Sequence, residues 1–235
     1  MLIKTLVSGL GGQNSAMEQP LAGARACAVP LPAFDVSARI MKSANARLCA
    51  EWAADETLGG GGYEVWALYN LGTEYVAVGA KVERENPTFP TLTGGYVQAY
   101  RFERRIASFF GITPKGHPDQ RPWIKHEDWP ADAYPLRKSF QSSEPLPRAV
   151  GTYEFARVNG EGVFEIPVGP VHAGIIEPGH FRFQAVGEKV LNMEEKLGYV
   201  HKGIEKRFES LGWPKMARLA GRVSGDSTVA HALGF

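Results

Sequence analysis

Thiols are scarce in this chain. Only Cys27 and Cys49 occur in 235 residues, far apart and without a Cys-x-x-Cys pattern, which fits reduced cytoplasmic thiols, one loose and one packed in a helix. Long apolar runs are lacking as well: none approaches the roughly 20 residues needed to span a bilayer. No charge of one sign dominates, since 26 basic residues face 25 acidic ones, and nothing suggests a nucleic-acid surface. No repeat or low-complexity tract is visible. Met1 to Leu10 holds one Lys and a few apolar residues, but no apolar core followed by a small-residue cleavage site, so it reads as a disordered start and not as a signal peptide. What is present, 44% hydrophobic and 11% aromatic residues, is ordinary for a globular protein. The length allows one large domain or two small ones with a real core.

Residues 1–32 are rich in Gly, Ala and Pro and read as poorly ordered. Asp35 can cap a helix whose apolar stripe is Val36, Ile40, Ala44, Leu48 and Trp52, spaced by four. Gly59 to Gly62 ends it in a loop. Tyr63 to Tyr69 reads as a strand, Asn70-Leu-Gly-Thr73 as a turn, and Tyr75 to Val82 as the returning strand with Val76, Val78, Ala80 and Val82 on one face. The pattern predicts a second helix from about Gly95 to Phe110, burying Ala99, Phe102, Ile106, Phe109 and Phe110, with Gly111 as its C-terminal cap. Helix, hairpin and helix make a small α+β domain over 33–140. Its last part is irregular, and His117 in Gly-His-Pro-Asp reads as a turn residue. Trp123, Trp129 and Trp213, each beside a Pro, read as loop anchors.

Residues 141–150 read as a linker, and 151–235 as the start of a second domain. Thr152 to Val158 and Val163 to Val168 flank Asn159-Gly160, a hairpin signal. Phe181 to Val186 and Lys189 to Asn192 flank Gly187-Glu188, a second one. A helix is expected near Tyr199 and another from Pro214 to the end. Between Val168 and Phe181 a Gly/Pro-rich loop carries His172, Glu177 and His180. Strands hold such a loop at both ends, which suits chemistry. A carboxylate beside an imidazole can relay protons near neutral pH.

Two sets of words carry a resemblance. Gly-Pro-Val-His172, Gly-His180 and His201-Lys-Gly-Ile-Glu-Lys206 resemble the large subunit of nickel–iron hydrogenases of the formate-hydrogenlyase type and the related 49-kDa quinone-site subunit of respiratory complex I. Phe102-Glu-Arg104, Phe110-Gly-Ile112, Gly116-His-Pro-Asp119 and Pro135-Leu-Arg-Lys138 resemble the 30-kDa subunit of complex I, which is fused ahead of the large subunit in hydrogenlyase-type proteins. Arg105 stands where that family has Glu, and Ser139 where it has Asp. The resemblance implies an α+β fold: a small N-terminal α/β-sandwich-like domain of the 30-kDa type, then antiparallel β hairpins leading into a truncated helical large-subunit domain.

The resemblance also implies roles. A nickel–iron site needs soft thiolate ligands, which the family supplies from Cys-x-x-Cys pairs. The matching words here are Arg222-Val-Ser-Gly-Asp-Ser-Thr-Val-Ala-His231, with Ser224 and Ser227 in place of both cysteines, so no nickel–iron centre is expected and no metal ligand is assigned. Glu177 and His180 are implied as the proton relay, with His172 and His231 as quinone- or proton-site candidates. Glu103, Arg104, His201, Lys202 and Glu205 are implied as contacts to partner subunits, although in isolation each set also reads as a solvated charged face. The implied function is electron and proton transfer in a membrane-associated complex related to NADH:quinone oxidoreductase. Implied partners are an iron–sulfur small subunit that holds its own cluster, other complex I-like subunits and membrane ion-translocating subunits, with quinone or another acceptor taking the electrons. The implied place is peripheral, on the cytoplasmic face of the inner membrane. Two rivals stay open: an active nickel–iron hydrogenase, and a non-catalytic scaffold that docks the peripheral arm.

Overall fold

A computed structural model describes residues 17–21, 24–72, 74–125, 128–151 and 153–235. The expectations for Met1 to Leu10, for Thr73 and for Thr152 fall outside the described residues. The chain divides into two compact units, Met1–Pro122 with Leu136–Phe140, and Trp123–Pro135 with Gln141–Phe235. Residues 123–135, expected in the first domain, therefore cluster with the second.

The first unit is a sheet with helices on it. The stretch expected to be poorly ordered contains two strands, β1 (Met17–Leu21) and β2 (Ala24–Ala28), joined antiparallel. Cys27 is fully buried on β2. The helix α1 (Phe34–Ser43) is shorter than its spacing suggested and buries Phe34, Ser37, Ala38 and Met41 instead of the Val36/Ile40 stripe. Ser37 can go inside because its hydroxyl donates to the Phe34 carbonyl, 2.6 Å away. Asp35 does not cap the helix; it sits in the first turn and pairs with Arg39. Asn45 then adopts φ 56°, a left-handed conformation that ends α1.

Leu48 and Trp52 consequently belong to a strand, β3 (Arg47–Asp55), which also holds Cys49, so neither cysteine lies in a helix. A bulge between Leu48 and Ala50 resets its alternation, so that Leu48, Glu51, Ala53 and Asp55 are the buried positions. Next come β4 (Tyr63–Asn70) and β5 (Tyr75–Val82), the hairpin expected from its alternation. Its turn is held by the Asn70 carboxamide oxygen, which accepts the Gly72 N–H. The sheet order is β1-β2-β5-β4-β3, all antiparallel except the parallel β2–β5 pair. Tyr63, Val65, Ala67 and Tyr69 line the core face of β4.

On the other face Trp66 lies opposite Gly79 and stacks on Trp52, with ring centroids 6.3 Å apart. A Cβ at position 79 would stand 2.6 Å from three atoms of the Trp66 ring. Gly79→Ala is accordingly expected to cost about 1–3 kcal/mol through overpacking, read as a lower denaturation midpoint with an unchanged slope; an unchanged midpoint would mean that Trp66 swings away freely.

The short strand β6 (Thr88–Pro90) pairs in parallel with β7 (Thr113–Lys115), and α2 (Ala99–Phe110) lies between them in sequence and packs against β3. Gly111 caps α2 at φ 67° as expected. Phe102 is only half-buried, whereas Glu103 and Arg104, read from sequence as surface charges, are 0% and 6% exposed.

The second unit holds the three-stranded antiparallel sheet β8 (Phe164–Val168), β9 (His180–Val186) and β10 (Lys189–Lys196), in the order β10-β9-β8. The β9–β10 hairpin turns at Gly187-Glu188 as expected. The Asn159-Gly160 hairpin does not form. Instead β8 pairs with β9, and the Gln184 carboxamide takes the place of a neighbouring strand: it accepts the Val158 N–H at 3.0 Å and donates to the Ala156 carbonyl at 2.9 Å. Three short helices follow, α3 (Ile204–Phe208), α4 (Trp213–Ala220) and α5 (Thr228–Gly234). The single C-terminal helix expected from Pro214 is thus broken at 221–227. The rings of Phe208 and Trp213 each lie 5.7 Å from that of Phe235. Trp213 is 75% exposed and anchors no loop.

Candidate functional site

The loop between β8 and β9 is closed at its neck by glycine. Val168 faces Phe181 in register, and a Cβ on Gly169 would fall 2.1 Å from the Gly179 carbonyl oxygen, so only glycine lets the two loop ends touch. This fixes His180 at the first position of β9, half-buried. Its Nδ1 lies 3.1 Å from the Gly169 carbonyl, and its ring packs edge-on to Phe155 at 5.7 Å. A carbonyl can only accept, so Nδ1 carries the proton and Nε2 is left as the nitrogen able to exchange one.

Glu177 projects from the same loop, but to a different partner. Its carboxylate pairs with the Lys202 ammonium, which also donates to the Val223 carbonyl at 3.4 Å. Lys202 thereby joins the β8–β9 loop to the residue before Ser224. No hydrogen bond links Glu177 to His180 among the described residues. The pair is 39% (Lys202) and 47% (Glu177) exposed, a setting in which an ion pair contributes little to stability but still fixes where the carboxylate sits.

The remaining candidates are more scattered. His172 is exposed, and its Nδ1 accepts the Gly174 N–H at 2.9 Å, a turn contact. His201 and Lys202 precede α3 and do not ride on it; His201 accepts the Gly203 N–H, and Glu205 occupies the first turn of α3. His231 is exposed in the last turn of α5. Ser224 and Ser227 flank the 224–227 turn, and the Ser224 carbonyl accepts the Thr228 hydroxyl. Two hydroxyls are hard, protonated donors and do not fit a nickel–iron centre. Among the described residues no three His, Cys, Asp or Glu side chains are grouped to hold a metal ion.

Glu103 and Arg104, implied as partner contacts, are turned inward by the same helix. Glu103 accepts the Leu92 N–H on one oxygen and the Thr91 and Thr93 hydroxyls on the other. Arg104 donates to the carbonyls of Arg121 and Pro122, both at 3.1 Å, and lies 3.3 Å from Asp119. Asp119 is also held by a bidentate Arg121 and by the Tyr100 hydroxyl. Burial pushes its acid up, but these donors outweigh burial and hold it well below the usual carboxylate range. His117 is no simple turn residue: its ring is buried, Nδ1 accepting the Asp119 N–H and Nε2 donating to the Tyr100 carbonyl. Sequence reasoning missed this inward network, and it missed Lys125, which donates to the Ala131 and Ala133 carbonyls from a buried position. Only the short spacing of Arg104, His117 and Asp119 signals it.

Residues 34–145 match the family of the respiratory-chain NADH dehydrogenase 30 Kd subunit. The chain is 36% identical over 188 residues to hydrogenase-4 component G of Escherichia coli (strain K12), covering 77% of this chain and 34% of that protein. It is 33% identical over 189 residues to formate hydrogenlyase subunit 5 of the same organism, covering 77% and 33%. It is 32% identical over 170 residues to the C/D subunit of NADH-quinone oxidoreductase from Phocaeicola vulgatus, covering 64% and 32%. The chain thus spans about a third of the length of these curated relatives. Among solved structures, a component of the membrane-bound sulfane sulfur reductase, an archaeal respiratory membrane complex, superposes with a TM-score of 0.51 at 22% identity, covering 60% of this chain and 84% of that one.

Proposed function

Because residues 34–145 belong to the respiratory-chain NADH dehydrogenase 30 Kd subunit family, in a chain related to hydrogenase-4, formate hydrogenlyase and NADH-quinone oxidoreductase subunits, we propose that this protein is an electron- and proton-transfer subunit of a membrane-associated, complex I-like oxidoreductase. One observation carries the reading: the 188-residue match to a hydrogenase component is much longer than the family domain and runs on into the second unit. This supports a 30-kDa-type domain followed in one chain by the start of a large-subunit-type domain, in the order of the fused subunits. The chain works beside an iron–sulfur subunit, with quinone as the acceptor class and ion-translocating subunits in the membrane. No helix among the described residues is long and apolar enough to cross a membrane, which supports a peripheral seat, and we place it on the cytoplasmic face.

In this reading Glu177 and His180 move protons at the second unit, and Ser224 and Ser227 leave the nickel–iron position without thiolates. The test is metal analysis of the complex purified from membranes through a tag on this chain. Iron is expected together with an iron–sulfur subunit, and nickel well below one atom per copy. One nickel per copy would overturn the reading in favour of an active hydrogenase, and purification of the chain without any iron–sulfur partner would overturn it altogether. The scaffold alternative has an observation in its favour, the separate partners of Glu177 and His180, and is decided by mutation of those residues.

A further inference from the structure

The first unit buries an acid without a hydrogen-bond partner among the described residues. Glu51 is 1% exposed in the middle of β3, and neither of its carboxyl oxygens is bonded there. The hydroxyl of Tyr69, fully buried on the adjoining β4, has none either. Among the described residues, the ionisable groups that act on this site include Glu103 from α2 and Tyr69 from β4, with Tyr96 packed on Tyr69 at a ring separation of 5.6 Å. None of them is a cation. His117 approaches Glu103 to 4.0 Å, but its two ring nitrogens are engaged by Asp119 and Tyr100. At the far end of β3 Asp55 has donors of its own, the backbone N–H groups of Thr57 and Lys138.

The two acids sit on β3 and α2, which pack together, and their hydrogen-bond surroundings are opposite. Glu103 accepts from one backbone N–H and two hydroxyls, which suits a carboxylate. Glu51 accepts from nothing, which suits a carboxylic acid, because an interior charge without donors is relieved by taking up a proton. Burial pushes the Glu51 acid well up, and the nearby Glu103 charge pushes it the same way. Burial raises the Glu103 acid too, but its donors and His117 work against that rise, whereas nothing does so at Glu51; of two neighbouring carboxyl groups the one without donors therefore keeps the proton and the other the charge.

We infer that Glu51 and Glu103 form an alkali-sensitive latch between β3 and α2, in which Glu51 stays protonated while the unit is folded and loses its proton to solvent to set two like charges across the strand–helix contact. The direction of the pH dependence follows from linkage. The folded form holds the Glu51 proton more tightly than the unfolded chain does. Its contribution is therefore whole below the unfolded value, about pH 4, and is lost as pH rises through the folded value.

The test compares the full chain with Glu51→Gln, which keeps the shape and cannot ionise. Urea denaturation is followed by the near-ultraviolet circular dichroism of the stacked Trp52–Trp66 pair. The ratio of the variant's folding constant to that of the wild type is expected to grow with pH, by up to about tenfold per pH unit between the unfolded and folded values. A ratio that stays flat from about pH 5 to about pH 9 overturns the latch. Should Glu51→Gln fail to fold, the wild-type chain supplies a second reading. Its infrared spectrum in heavy water is expected to contain a carboxylic-acid C=O stretch at neutral pH that bleaches as alkali loosens the unit. A folded chain at neutral pH without that band overturns the inference.

Discussion

Arg104→Met is expected to destabilise the first unit by about 3 kcal/mol, the low end of the loss seen when one partner of a buried ion pair is removed. The side chain is 6% exposed and donates to two backbone carbonyls as well as facing Asp119. Removing it strips the Arg121 and Pro122 carbonyls of these donors in a place that water reaches poorly, which adds the cost of unsatisfied acceptors. Asp119 keeps Arg121 and Tyr100, which is why the loss is placed low in the range. Arg104→Lys should recover little, because an ammonium is a point charge and cannot span two carbonyls and a carboxylate at once. The loss should also depend on pH. Asp119 is held below its ordinary value, so its share of stability is present above the unfolded value and is lost as pH falls through the folded one. The gap between wild type and variant should therefore narrow below about pH 4. Urea midpoints at neutral and acid pH check both statements; a change within about 0.5 kcal/mol, as for an ordinary surface residue, would show that the network holds nothing.

Much of the fold could be read from the sequence wherever a local pattern had one interpretation. The β4–β5 hairpin alternates cleanly, Gly111 stops α2, and Gly187-Glu188 turns β9 into β10. The reading failed where two periods overlapped. Val36, Ile40, Ala44, Leu48 and Trp52 fit a helix by spacing, yet Asn45 breaks the chain and a bulge realigns Leu48 with Glu51 and Ala53. No helical or strand template contains a bulge. It failed again at Asn159-Gly160, because a buried side chain, Gln184, pairs with the 156–158 backbone in place of a strand. Charges misled for a related reason. Arg104, Glu103 and Glu51 look solvated by residue type, and only the packing of α2 on β3 puts them inside. At the loop, the sequence placed Glu177 and His180 together but could not show that Lys202, 25 residues on, captures the carboxylate.

Glu177→Gln in the assembled complex is expected to lower turnover by about 100- to 10,000-fold, the range for removal of a positioned general acid–base group. Glutamine preserves length and hydrogen bonding, so assembly should survive while the proton-accepting carboxylate is gone. His180→Ala is expected to reduce turnover on the same scale, since its Nδ1 is committed to the Gly169 carbonyl and Nε2 is the nitrogen free to exchange a proton. The ion pair adds a third arm. Lys202→Met frees the Glu177 carboxylate from its place beside Val223, and adding it to Glu177→Gln should worsen turnover little, because both changes break the same contact and partners in one contact are not additive. A loop that merely caps a hairpin predicts something else: stability shifts within about 0.5 kcal/mol and wild-type turnover in every variant. That result for both Glu177→Gln and His180→Ala, with intact assembly, would remove the relay and leave the chain as a scaffold that docks its neighbours.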